Sequence, residues 1–250
     1  MLKFRSTNII FGILIFVVVV FTKNYYLIPI LFLLWIIITT IGSFHIRWNY
    51  FLPAKHFNYL VKDKIIALTF DDGPNAEFTP QFLDLLKKHR AKATFFCVGK
   101  QIEQHPALVK RIINEGHTIG NHSYAHTNNY GFLKTKQVID DVSKTQQIIK
   151  AILNIENKLF RPPFGVTNPN IAKAIKTLNL QTIGWSIRSL DTKAKGVKIV
   201  LKKITKKIQK GDVILLHDTS ELSFLILEQL LQFLEKNQYK SVTVDELFNP

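Results

Sequence analysis

The sequence is poor in cysteine, in acidic side chains and, near its beginning, in charge of any kind. A single cysteine, Cys97, excludes an internal disulfide bond and any cysteine-rich metal site. It lies in the apolar run ATFFCVG, where we expect a small core residue rather than a nucleophile. Acidic residues number 18 against 33 basic ones, which gives a formal net charge of +15.

Charged residues are missing from most of the first 46 positions. None occurs between Arg5 and Lys23, or between Lys23 and Arg47. The second stretch suits a helix of roughly 20 residues crossing a hydrocarbon core of about 30 Å, and the first is somewhat short for such a helix. The first also resembles a signal peptide, but no small-residue cleavage site follows it. We therefore predict a transmembrane helical hairpin over residues 1–47, a connector over 48–62 and the main domain over 63–250.

The basic residues that flank the hairpin bear on its orientation. Lys3 and Arg5 precede the first stretch, Arg47 and Lys55 follow the second, and Lys23 stands alone between them. The positive-inside rule then favours a cytoplasmic position for both ends of the hairpin.

A basic segment near the end of the chain, residues 193–210, reads KAKGVKIVLKKITKKIQK. It predicts a helix with a basic solvent face, which either binds an anionic partner or only aids solubility. The segment has no aromatic residue that could stack on bases, so we expect no nucleic-acid partner.

From Lys64 onward, short β-branched runs alternate with amphipathic segments. Strict alternation of this kind predicts an α/β fold, a parallel sheet of about seven strands covered by helices. Active sites of such folds gather at the carboxyl ends of the strands. The predicted strands cover residues 65–70, 93–98, 117–122, 158–162, 181–187, 212–217 and 241–244.

The unusual polar residues follow these strands. Asp71 and Asp72 come after the first strand, although DDGP alone also suits a simple turn. His122 ends the third strand and His126 follows it, a spacing that puts two imidazoles on one face of a helical turn but is also common among unrelated surface histidines. Together with Asp72 they complete a facial set of metal ligands that leaves positions open.

Three further candidates lie at later strand ends. Arg161 opens RPPFG, which read as structure alone is a stiff turn. Asp191 follows the fifth strand. His217 comes directly after ILL, where it is placed either for proton transfer or as a satisfied core histidine.

Five ordered motifs, TFDDGP, HSYAH, RPPFG, SLDT and ILLHD, lie between residues 69 and 218. They resemble the polysaccharide deacetylases with the NodB homology domain, carbohydrate esterase family four. The resemblance implies a distorted (β/α) barrel and a hydrolase that uses zinc, or cobalt or a similar ion. It implies these roles: Asp71 as general base, Asp72, His122 and His126 as metal ligands, His217 as general acid, Arg161 and Asp191 as residues that orient Asp71 and His217, the Phe164 backbone N–H as an oxyanion donor, and Leu215 as a wall of the acetyl methyl pocket.

The resemblance thus predicts a metal-dependent deacetylase of GlcNAc-type sugars in a polysaccharide or peptidoglycan. The two charge-free stretches predict that the hairpin anchors it to membrane lipid. A cell-wall substrate would favour an extracytoplasmic domain. The alternatives are a deacylase or deformylase of a lipid-linked sugar, and a non-catalytic carbohydrate-binding protein. Two positions depart from the family pattern: Phe164 replaces a frequent tyrosine, and Thr192 replaces the usual tryptophan, which puts sugar specificity in doubt.

Overall fold

A computed structural model describes residues 2–249 of the chain, and within them nine strands form one sheet. Every strand pairing in the sheet is parallel. The strands are β1 Ala54–Lys55, β2 Ile65–Asp71, β3 Ala93–Cys97, β4 Thr118–Asn121, β5 Leu159–Phe160, β6 Gln181–Ile183, β7 Ile187–Arg188, β8 Val213–His217 and β9 Lys240–Val242.

The sheet curls into a half-barrel because of how its two sides are joined. Its strand order is β1-β6-β5-β4-β3-β2-β8-β7, with β9 beside β2. Only three residues, 184–186, connect β6 near one edge to β7 at the other. So short a link requires the two edges to approach each other. The expected α/β fold, a distorted barrel of parallel strands, is confirmed, with nine strands where about seven were expected.

Helices cover the outer face of this sheet. The longest of them are amphipathic, since their buried apolar residues recur every three or four positions as a helix packed on a sheet requires. The helices are α1 Phe4–Val17, α2 Leu27–Phe44, α3 Phe78–Lys88, α4 Gly99–Gln104, α5 Pro106–Asn114, α6 Thr135–Leu153, α7 Pro169–Thr177, α8 Val197–Thr205, α9 Glu221–Lys236 and α10 Val244–Phe248.

The central strands are mostly apolar because both of their faces are buried. Side chains alternate between the faces of a strand, so Leu68 and Phe70 pack under the helices while Thr69 and Asp71 point into the half-barrel. Cys97 belongs to the outer core and is fully buried. The inner face therefore holds the polar groups of β2.

Two predicted elements differ from the observed ones. The single strand expected over 181–187 is two strands, because the chain leaves one edge of the sheet at Gly184 and joins the other at Ile187. The connector expected over 48–62 contains β1, which pairs with β6, and Phe57 forms an antiparallel bridge with Asp212. The connector therefore helps to close the open side of the half-barrel.

The first two helices form a hairpin that packs on itself and on the domain. The α1 helix continues as a π-helical turn to Thr22. Both helices are long and apolar enough to cross a membrane, and they leave large side chains exposed, such as Phe16 and Phe32. The Phe4 N–H donates to the Tyr50 carbonyl at 3.0 Å, which ties the start of α1 to the connector.

Candidate active site

The candidate residues gather inside the half-barrel at the carboxyl ends of its strands. Asp71 on β2 lies directly beside His217 on β8, since these two residues are register partners. Leu215, two residues earlier on β8, shares that inner face and is buried against Trp185 and Ile46. Parallel strands bring these ends together because their carboxyl ends share one edge of the sheet.

Asp72, His122 and His126 form a compact cluster at this edge. Their ligand atoms all lie within 4.8 Å of one another. Oδ1 of Asp72 is 3.5 Å from Nε2 of His122 and 3.3 Å from Nε2 of His126. That oxygen is buried and accepts no hydrogen bond within the described residues. A buried carboxylate oxygen without a donor, facing two imidazole nitrogens, fits a divalent metal ion.

The expectation that His122 and His126 lie on one helical turn is wrong. Ser123 and His126 adopt left-handed backbone angles, with φ values of 67° and 46°. The Asn121 side chain accepts the Ser123 N–H at 2.9 Å, and Ser123 Oγ accepts the His126 N–H at 3.0 Å. Short polar side chains compete in this way with helical hydrogen bonds. An irregular loop, and not a helix, therefore places the second imidazole.

The His122 ring is held in a defined orientation. Its Nδ1 lies 2.8 Å from the carbonyl oxygen of Arg161. A carbonyl only accepts, so Nδ1 carries a proton, and Nε2 is the ring nitrogen that faces Asp72.

Asp72 is poised to carry a negative charge. Burial alone raises the pKa of a carboxyl group, but the proximity of His122 and the charges of His126 and His217 outweigh it and hold the pKa of Asp72 well below its usual range. An ionised carboxylate is the form that binds a metal ion.

Arg161 is completely buried and holds Asp71 in place. Its Nη1 donates to Asp71 Oδ1 at 2.7 Å and to Thr69 Oγ1 at 2.8 Å. Nε and Nη2 donate to the carbonyls of Ile183 and Gly184 at 3.1 and 2.8 Å. A buried charge is tolerated when its donors are satisfied and a carboxylate is paired with it. Asp71 Oδ2 remains on the other side, 3.7 Å from His122 Nε2.

His217 is held by Asp191. Its Nδ1 lies 2.8 Å from Asp191 Oδ1, and its backbone N–H donates to Oδ2 at 2.8 Å. Burial lowers the pKa of an imidazole, but the hydrogen bond and charge of Asp191 outweigh it and raise the pKa of His217 to about 9. The imidazole is therefore protonated at neutral pH. Its Nε2 lies 3.9 Å from Asp72 Oδ2.

The sequence analysis assigned no role to several residues that support the site. Ser189 and Ser223 donate to the two oxygens of Asp191 at 2.7 and 2.9 Å. Asp218 is buried against Gly73 and accepts from the Thr79 hydroxyl. Burial raises the pKa of Asp218 to about 7. The available signal was the motifs themselves, since Ser189 opens SLDT and Asp218 ends ILLHD. Ser223 lies outside the five motifs.

Phe164 lies at the rim of the cluster. Its ring is 4.6 Å from that of His126, and about two fifths of the residue is exposed. The next residue, Gly165, has φ 70°, and a Cβ there would overlap the Trp185 ring. Thr192, the position with an unusual residue, is exposed beside the buried Asp191.

A curled parallel half-barrel defines a class of proteins when it carries an Asp–His–His cluster, an arginine-held carboxylate and a carboxylate-held imidazole. It is the class of carbohydrate esterase family four. The chain belongs to the polysaccharide deacetylase family, whose family model matches residues 59–183. The family expected from the five motifs is thereby confirmed.

Named relatives agree with this assignment. The chain is 38% identical over 186 residues to the peptidoglycan-N-acetylglucosamine deacetylase PgdA of Listeria monocytogenes, covering 74% of this chain but only 39% of that protein. It is 37% identical over 193 residues to a peptidoglycan-N-acetylglucosamine deacetylase of Bacillus cereus, covering 74% of this chain and 88% of the relative. The solved structure of peptidoglycan deacetylase PdaC from Bacillus subtilis superposes with a TM-score of 0.70 at 33% identity, covering 74% of this chain and 90% of that one.

Proposed function

We propose that the chain is a membrane-anchored, metal-dependent hydrolase that removes the N-acetyl group of GlcNAc-type sugars in peptidoglycan. The observation that carries the proposal is the arrangement around Asp72. The Asp71 carboxylate approaches the cluster from one strand, and the His217 imidazole approaches it from the neighbouring strand. A base and an acid next to a metal site are what amide hydrolysis requires.

Asp72, His122 and His126 would hold the ion, and zinc suits two imidazoles and a carboxylate. When bound, such an ion supplies Lewis-acid polarisation of the acetyl carbonyl and makes water more acidic. The remaining work falls to the side chains of this chain. Asp71 takes a proton from the attacking water through the oxygen that Arg161 leaves free. The Phe164 N–H would donate to the oxyanion that forms on the former carbonyl oxygen.

His217 completes the reaction. Protonated at neutral pH, it gives the Nε2 proton to the sugar nitrogen as the C–N bond breaks, so the products are acetate and a free amine. Asp191 keeps Nδ1 protonated and aims the ring. Leu215 offers an apolar wall for the acetyl methyl group. The names of the peptidoglycan deacetylases among the relatives support this substrate.

Variants of the purified full-length chain in detergent test the proposal. Asp71→Asn keeps the shape of the side chain but cannot accept the proton, so acetate release from an N-acetylglucosamine oligomer falls by about 10²–10⁴-fold. Bound zinc, measured by elemental analysis, stays at one per chain. His126→Ala removes a ligand and loses both the activity and the metal.

The two variants separate the assignments. Full activity in Asp71→Asn would refute the base assignment, and full zinc content in His126→Ala would refute the ligand set. His105→Ala, on the loop between α4 and α5, is the matched control and keeps both.

A second substrate class, a lipid-linked N-acylated sugar, is favoured by one contact. The Thr167 N–H donates at 2.9 Å to the carbonyl of Ser43, near the end of α2. Thr167 follows Phe164 by three residues, so the rim of the site is joined to the end of the hairpin. Assaying the same preparation with a polyprenyl-linked GlcNAc and with a soluble oligomer distinguishes the two substrates.

A further inference from the structure

A second pocket, separate from the Asp72 cluster, lies where the hairpin meets the domain. It has a volume of about 500 Å³. One side is formed by the end of α2 and the residues after it, and the other by the segment after β6 and by α8. We call it the anchor pocket, and its defining residues are Phe44, Arg47, Tyr59, Arg188, Lys203 and Lys207.

The anchor pocket is strongly positive. Four of its lining side chains are cationic: Arg47, Arg188, Lys203 and Lys207. No ion pair within residues 2–249 includes any of the four. Their positive charges are thus left for a ligand to neutralise.

The one acidic residue that lines the pocket does not balance these charges. Asp212 is buried, and it accepts hydrogen bonds from the Ser186 hydroxyl and the Gln209 N–H, both at 2.6 Å. Burial raises the pKa of Asp212. Even when it is ionised, this single carboxylate leaves the pocket with a net positive charge, because four cationic side chains line it.

Lys203 lies close to the other cationic side chains of the pocket. Burial, and then the charges of Lys207 and Arg188, lower the pKa of its ammonium group. Its Nζ lies 3.4 Å from the Ser189 carbonyl, and Arg47 Nη1 donates to the Ser186 carbonyl at 3.1 Å. These contacts hold two of the cations toward the pocket and leave further N–H donors for an anion.

The position of the pocket indicates where an anion would come from. Phe44 is the last residue of α2 and is 67% exposed, and Tyr59 is 81% exposed. Exposed aromatic rings beside the end of a membrane-spanning helix are typical of the bilayer interface. Phosphate groups of lipids lie at this depth, and basic side chains near a span attract them.

We propose that the anchor pocket binds the phosphate of an anionic membrane lipid and thereby docks the domain against the bilayer surface. The four cations bind the headgroup, while the acyl chains follow the exposed apolar side of α2 beyond Phe44. The inference rests on the proposed membrane anchor. It is independent of the deacetylase chemistry, because none of the pocket residues belongs to the Asp72 cluster or its proton-transfer partners.

Native mass spectrometry of the full-length chain tests the proposal. The protein, in a neutral detergent, is titrated with phosphatidylglycerol, and the fraction that retains one lipid is measured. A lysine beside a charged headgroup contributes about a fivefold factor in affinity, so Lys203→Gln/Lys207→Gln weakens binding roughly 10- to 30-fold. The matched control, Lys202→Gln/Lys206→Gln, removes the same charge from exposed positions of the same segment and weakens binding by less than about threefold.

Three outcomes would overturn the proposal. They are equal losses in both double variants, retention of phosphatidylcholine as strong as that of phosphatidylglycerol, and inorganic phosphate binding as tightly as the lipid. The last would assign the pocket to a soluble phosphate compound. Carbonate extraction of membranes tests the anchor separately, and acetate release from a soluble oligomer, unchanged in Lys203→Gln/Lys207→Gln, tests the deacetylase separately.

Discussion

At the residue scale, the pair of Asp191 and His217 sets the expected pH dependence. The interaction raises the pKa of His217 to about 9, against an ordinary value of about 6.5. A raised histidine pKa means that the pair stabilises the fold fully below about pH 6.5 and that this contribution is lost as the pH rises to about 9. In the folded enzyme, the proton available to the leaving amine is lost only as the pH passes through about 9.

Asp191→Asn therefore moves the alkaline limb of the kcat/KM profile to lower pH. An asparagine removes the charge that stabilises the imidazolium, so His217 loses its proton earlier. The measurement is acetate release from an N-acetylglucosamine oligomer between pH 6 and pH 10. Asp84→Asn, an exposed carboxylate paired with Arg111, is the control and leaves the limb in place. A limb unmoved in Asp191→Asn would show that His217 is not the acid.

The sequence predicted the residues that would act at the site better than the residues that hold them in position. Asp72, His122 and His126 were expected together because imidazole and carboxylate are recognisable ligands, and their side chains do lie together. The supporting roles of Ser189, which opens SLDT, and of Ser223 were not predicted, since the function of a serine depends on the partner that the fold brings to it. Asp218 is similar, because its burial against Gly73 depends on two distant segments.

At the element scale, the turn of RPPFG is constrained by its glycine. Gly165 has φ 70°, a value that side-chain-bearing residues rarely adopt, and the Trp185 ring occupies the space of a Cβ. The same turn presents Phe164 to the cluster. The position of the Phe164 backbone therefore depends on Gly165, a residue without a side chain.

Gly165→Ala is expected to destabilise the protein by about 1–3 kcal/mol and to lower activity, because the ring or the turn must shift. Gly196→Ala is the matched control, since its Cβ meets nothing within 4 Å. It should change stability by no more than about 0.5 kcal/mol. Thermal unfolding followed by circular dichroism compares the two. An equal loss in both would contradict the packing argument.

The observed strands and loops show which sequence patterns were enough to predict an element and which were not. The run over residues 65–70 was predicted because a strand covered on both faces is a continuous apolar run. The break within 181–187 was not, since the residues on either side of it are equally β-branched and the break is imposed by closure of the sheet. The loop that carries His126 was mistaken for a helical turn because sequence spacing does not reveal backbone handedness.

At the scale of the whole molecule, the side of the membrane on which the catalytic domain lies distinguishes the two proposed substrate classes. Peptidoglycan deacetylation requires the domain to lie outside the cytoplasmic membrane, whereas the few flanking lysines and arginines favour the inside. Large domains translocate largely regardless of such charges. We therefore expect an alkaline phosphatase fused to the carboxyl terminus, which is active only outside, to be active in cells. A β-galactosidase fusion is the reciprocal control, and its activity would instead support a substrate on the cytoplasmic side.

The hydrogen bond from Thr167 to Ser43 restricts the motion of the active site relative to the hairpin. If the hairpin anchors the protein as proposed, the opening of the active site stays at a fixed distance from the bilayer and moves only in the membrane plane. Such an enzyme meets its substrate by two-dimensional diffusion. Its turnover in the cell would scale with the area density of sugars within that fixed reach and would leave deeper layers of polymer untouched.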